Sequence, residues 1–105
     1  MQLQPLRIPG GWEIIWNKFI EIDPLMINDK DDDLWLDFSE DILLIINKFK
    51  NVTLDLGWYP SINPSGTFRI YLISNEDFNN PMEIYDSRSK DEIVSKIEYL
   101  LTKFS

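Results

Sequence analysis

The 105-residue sequence contains no cysteine and no histidine. Without cysteine no disulfide and no thiolate site can form. Without histidine the usual general base and the commonest metal ligand are missing. Together the two absences exclude zinc centres and nucleophilic triads built on either residue. Glycine is scarce, four in all, and no glycine-rich phosphate cradle is present. A carboxylate pair could serve a glycosidase, but a domain of this length leaves little room for a sugar cleft. The expectation is a protein that is not an enzyme and holds no cofactor or metal. No stretch approaches the ~20 apolar residues of a membrane span, and "MQLQPLRIPGGW" lacks the basic-then-apolar pattern of a secretory signal. No membrane contact is expected, and the expected compartment is the cytoplasm. Alanine is also absent while isoleucine is abundant, a composition that favours strands.

What is present is apolar and acidic. Hydrophobic residues make up 44% and aromatics 13%, enough for one packed domain over residues 1–105. The formal net charge is −8, and all of it lies between Glu21 and Asp41, where nine acidic residues face a single Lys30; the rest of the chain is balanced. Such a run repels phosphate, which argues against direct nucleic-acid binding, and it steers a basic partner. Most charge runs are solvated surface. Within "NDKDDDLWLDFSE" the acids Asp29, Asp31, Asp33, Asp37 and Glu40 fall at positions 1, 3, 5, 9 and 12 of an EF-hand loop. Position 6, however, is Leu34 rather than glycine, and Pro24 sits where the incoming helix should run. A calcium-dependent module, or an acidic adaptor, is the alternative reading.

Residues 1–10, with Pro5, Pro9 and Gly10, read as an extended lead-in. "GWEIIWNKFIEIDP" suggests strands at about 12–16 and 18–22, with Trp12, Ile14 and Trp16 on one face. A strand at 34–38 is expected to turn Leu34, Leu36 and Phe38 inward and Trp35 and Asp37 outward. Residues 42–46 read as a strand buried on both sides, with a short helix as the other possibility. The segments 52–59 and 67–73 form a hairpin if Tyr59 lies opposite Thr67, which pairs Trp58 with Phe68, Leu56 with Ile70 and Leu54 with Leu72. Asp55 and Arg69 then become diagonal neighbours on the other face, an exposed pair of little energetic weight. After a strand at 82–87, Ser89 and Glu92 spell a capping box. Ile93, Ile97, Leu100, Leu101 and Phe104 then form one apolar stripe. The predicted class is α+β: an antiparallel sheet of five to six strands with a C-terminal amphipathic helix packed on one face.

From "LDLGWYPSINPSGTFRIYLI" onward the chain resembles a family of bacterial immunity proteins from contact-dependent growth inhibition systems. The shared features are Gly57-Trp58-Tyr59-Pro60, a loop with Pro64 and Gly66, the Phe68–Ile73 strand, a Pro81-led strand and the acidic-start helix. The opening "GWEIIWNKFIEIDP" is similar too, through Gly11-Trp12, Asn17 and Asp23-Pro24, so that the likeness covers about 70 residues. It implies a cytoplasmic binding protein whose partner is the cognate toxin domain of an exported effector, often a basic nuclease that acts on transfer RNA. On that basis Asp31, Asp32, Asp33, Asp37, Glu40 and Asp41 are the expected charge contacts. Trp35 and Tyr59, both on outward parity, are the expected aromatic contacts.

Overall fold

A computed structural model describes residues 2–105, apart from the side chain of Asp32. Alternation of Val52, Leu54, Leu56 and Trp58 with smaller or polar residues builds the central strand, β3 (Val52–Tyr59). It pairs with β4 (Thr67–Ser74) in the register the apolar pattern predicts: Tyr59 faces Thr67, Trp58 Phe68, Leu56 Ile70 and Leu54 Leu72. A slip of one residue would send each of these apolar side chains to the other side, so burial itself fixes the register. On one flank β2 (Leu43–Asn47) pairs with β3 and with β1 (Glu13–Asn17); on the other, β5 (Glu83–Ser87) pairs with β4. All pairings are antiparallel, and the strands lie side by side in chain order. The chain is an α+β fold with five strands.

The C-terminal helix, α2 (Lys90–Lys103), starts where the sequence places it. Ser89 Oγ accepts from the Glu92 N–H at 3.3 Å, and Asp91 and Glu92 place negative charge on the first turn. The reciprocal half of the capping box is not made. Ser89 N–H donates instead to Ser87 Oγ at 3.0 Å, and the Glu92 carboxylate accepts from the Tyr85 hydroxyl at 3.2 Å. Ile93, Ile97, Leu100 and Leu101 are buried against the sheet, with Phe104 packed at the margin.

Four local expectations fail. Only one strand forms in residues 12–22. Beyond it, an isolated bridge joins Leu3 to Ile20, because the lead-in takes the backbone groups: Gln4 N–H donates to Phe19 O at 2.7 Å and Glu21 N–H to Gln2 O at 2.9 Å. A bulge between Ile14 and Trp16 sets Ile14 opposite Ile45 and Trp16 opposite Leu44, so these two residues lie on opposite faces. In β2 one face is fully buried (Leu43, Ile45, Asn47), while Leu44 and Ile46 are half-buried. The predicted strand at 34–38 is instead a helical turn, α1 (Asp32–Trp35), preceded by a 3-10 turn at Pro24–Met26.

Trp35 is the largest correction. It is 1% exposed, not outward, while Leu36 is 59% exposed, not inward. Helical spacing puts Trp35 and Phe38 on the same side, with ring centroids 5.1 Å apart, and both pack on Trp58. Phe68 and Phe19 extend this aromatic cluster. The Trp35 indole N–H donates to Asn28 O at 3.1 Å, which ties down the start of the acidic run.

These contacts place the lead-in, the 19–38 segment and α2 on one side of the sheet. Trp58 and Phe68 share a face with Leu43, Ile45, Leu54, Leu56, Ile70 and Leu72. The lead-in, the 19–38 segment and α2 all pack there: Leu6, Ile8, Phe19, Ile22, Ile27, Trp35 and Phe38 join that core. Trp12 donates its indole N–H to Leu101 O at 2.9 Å. The molecule is 20 Å across its shortest axis, the thickness of two layers.

Candidate docking surface

On the other face of the sheet Thr53 and Ile73 are buried at one end, and the rest, around Asp55, Tyr59 and Tyr71, carries strand side chains and one bulge. The bulge arises just before β2. Trp58 N–H donates to Ser39 O at 2.8 Å and Ile42 N–H to Leu56 O at 3.0 Å, so Glu40 and Asp41 are extra residues opposite Gly57. The Glu40 carbonyl sits where any Cβ at position 57 would have to be, and the Tyr59 ring closes the rest of that space. Glycine is required there by this close approach. The result lifts two exposed carboxylates beside Tyr59.

Tyr59 and Tyr71 meet edge to face, 6.0 Å between centroids. The Arg69 guanidinium lies 5.7 Å from the Tyr59 centroid and 5.8 Å from that of Tyr71. Arg69 does not bind Asp55, its diagonal neighbour. It grips Asp86 through two hydrogen bonds of 2.7 and 2.8 Å, a bidentate contact that holds the Asp86 carboxyl below the usual range. At the far side of the sheet Lys48 pairs with Glu13 at 2.9 Å. Arg69 and Lys48 are therefore engaged. Glu40, Asp41 and Asp55 have no ion-pair partner among the described residues.

Asp55 is the most perturbed of the three. It lies on the central strand between Leu44 and Tyr71. Its Oδ1 is shut off from water and accepts no hydrogen bond among the described residues. Burial, and then the nearby negative charge of Asp41, push its carboxyl up to about 6. Burial, followed by the charge of Asp55 and the neighbouring Tyr71, Glu40 and Asp41, pushes the Tyr59 hydroxyl up to about 12. Trp16 has a buried indole N–H without an acceptor among the described residues.

The structure thus divides the residues expected from sequence. Glu40, Asp41 and Tyr59 come together on this face, Tyr59 on the parity predicted. Asp31, Asp33 and Asp37 are exposed, but on the segment that Trp35 and Phe38 anchor over the opposite side; Asp31 and Asp33 line a shallow recess there with Lys30 and Leu34. The Asp32 side chain lies outside the described residues. Trp35 is part of the core and cannot anchor a partner. The sequence pairs Asp55 with Arg69 on this face but gives the pair no role, and Tyr71 was passed over, although all three share the non-core parity that singled out Tyr59.

Among the described residues no three carboxylates gather closely enough to hold a cation, and a helical turn occupies the middle of the would-be calcium loop. The spelling S-x-x-K occurs at Ser87–Lys90, but it makes no nucleophile pair. Ser87 Oγ accepts from Ser89 N–H, and Lys90 Nζ donates to Gln4 Oε1 at 2.7 Å. Compared with protein-family models, curated proteins and solved structures, the chain finds no match in any of the three.

Proposed function

We propose that this chain is a binding protein that neutralises a basic toxin domain, as an immunity protein of a contact-dependent growth inhibition system. One observation carries the reading. The described acids between Glu21 and Asp41 make no ion pair among the described residues, so their charge is directed outward. Such a surface repels nucleic acid and attracts the cleft that a nuclease presents to phosphate. Occlusion of that cleft needs no chemistry from the inhibitor, in keeping with the absence of cysteine and histidine. The resemblance of residues 11–24 and 54–101 to immunity proteins supports the same reading, under which the protein acts in the cytoplasm.

The test mixes the purified chain with the toxin segment encoded directly before it and follows cleavage of transfer RNA. Loss of cleavage at a one-to-one ratio is the expected result. Full cleavage with both components folded overturns the reading. Replacing Asp31, Asp32 and Asp33 by lysine should slow association at least about tenfold at low salt and less at high salt, because long-range charge governs encounter.

A further inference from the structure

We infer that the uncovered face of the sheet is the contact surface for the basic partner, and that Asp55 receives a lysine or arginine side chain from it. This rests on the reading above and names the surface that reading uses. The expectation from sequence was the acidic segment, with Trp35 as its anchor; with Trp35 in the core, that segment has lost its anchor.

The register places Trp16, Leu44, Asp55, Tyr71 and Ile84 in one row across the five strands. The row is apolar or aromatic except at its centre. Leu44 and Tyr71 are half-buried and Ile84 is 53% exposed, with no layer above them. The row also holds an acceptor and a donor that the fold leaves unmet, the Asp55 carboxylate and the Trp16 indole N–H. They lie on strands two apart, about 10 Å from the strand spacing. A buried polar group left unpaired costs stability; Oδ1 and the indole N–H are enclosed, but Asp55 is only partly buried, and a cation that meets the carboxylate at Oδ2 offsets its unpaired charge while bound. The missing bond at Asp55 calls for a cation, because Arg69 is already held by Asp86.

Charge decides the occupant. Glu40, Asp41 and Asp55 set a negative field around the two tyrosines, and rigid aromatic side chains of this kind anchor protein interfaces. A second copy of the chain would bring the same three charges against their own images. A basic protein surface meets both the field and the apolar row. The acidic segment on the other side then contributes encounter rate, while the sheet face sets residence time.

The experiment has two arms, on the full chain and its Asp55→Asn variant, whose fold is verified by amide spectra. In the first, an acetylated hexa-arginine peptide is titrated and amide shifts are mapped. Shifts centred on Leu44, Asp55 and Tyr71, with affinity reduced about tenfold by Asp55→Asn and unchanged by Glu76→Gln at an exposed loop position outside both surfaces, are expected. Shifts confined to residues 29–37, or no localised shifts, overturn the proposal whether or not any toxin binds. In the second arm, dissociation from the toxin segment should accelerate about tenfold in Asp55→Asn with little change in association; an unchanged dissociation rate overturns the proposal. If the peptide maps to the face and the toxin segment does not bind, the immunity reading fails and the cation-binding face stands. A dimer in sedimentation, with amide shifts at Leu44, Asp55 and Tyr71 that grow with protein concentration, overturns the basic occupant.

Discussion

At the residue scale the informative position is Asp55, a charge held where the fold gives it no partner. Its carboxyl titrates at about 6 in the native chain against an ordinary value of 3.8. Between those values the folded chain holds a proton that the unfolded chain has lost, so stability falls as pH rises through roughly 4 to 6 and stays at the lower level above. The side chain is partly open to water, which reduces the cost to ~1–2 kcal/mol. Asp55→Asn should therefore raise stability in urea unfolding by that amount at pH 7 and leave it unchanged at pH 4. Equal pH profiles for the two proteins would show that Asp55 titrates normally. The position of Asp55 was legible, since strand parity alone puts it with Tyr59. Its isolation was not, because only the fold shows that Arg69 turns to Asp86.

At the scale of elements, α2 was legible in full. Its signals are local: a serine cap, acids in the first turn and a stripe at helical period. Ser89→Ala should cost ~1 kcal/mol in thermal or urea unfolding. An unaltered midpoint would mean that the Ser87 hydroxyl, which already holds the Ser89 N–H, can secure the helix start alone. The β3–β4 hairpin was legible down to its register, because both strands are long and bury one face. Residues 34–38 were misread for an instructive reason. Leu34, Leu36 and Phe38 alternate like a strand, while Trp35 and Phe38 are spaced like a helix. Five residues cannot choose between the two periods; the deciding partner, Trp58, lies twenty residues away. The bulge at Glu40 and Asp41 depends in the same way on Gly57 across the sheet.

At the scale of the whole molecule, Trp35 joins the acidic segment to the sheet. Trp35→Ala should cost ~3–5 kcal/mol, as for other large buried aromatics, and should expose the backbone of residues 28–38 to rapid hydrogen exchange. Slow exchange there in the variant would show that Phe38 and the 3-10 turn hold the segment without it. The sequence by itself determined the α+β class, the long strands, the hairpin register, the C-terminal helix and the confinement of net charge to one fifth of the chain. Each follows from short-range periodicity or from counting. Only the tertiary structure decided which face of the sheet is covered, that the predicted anchor is core, and that the acids are parted between two sides of the molecule. Alternation states which residues share a face, but what lies over that face depends on contacts between segments far apart in the chain, and those form only when the core closes.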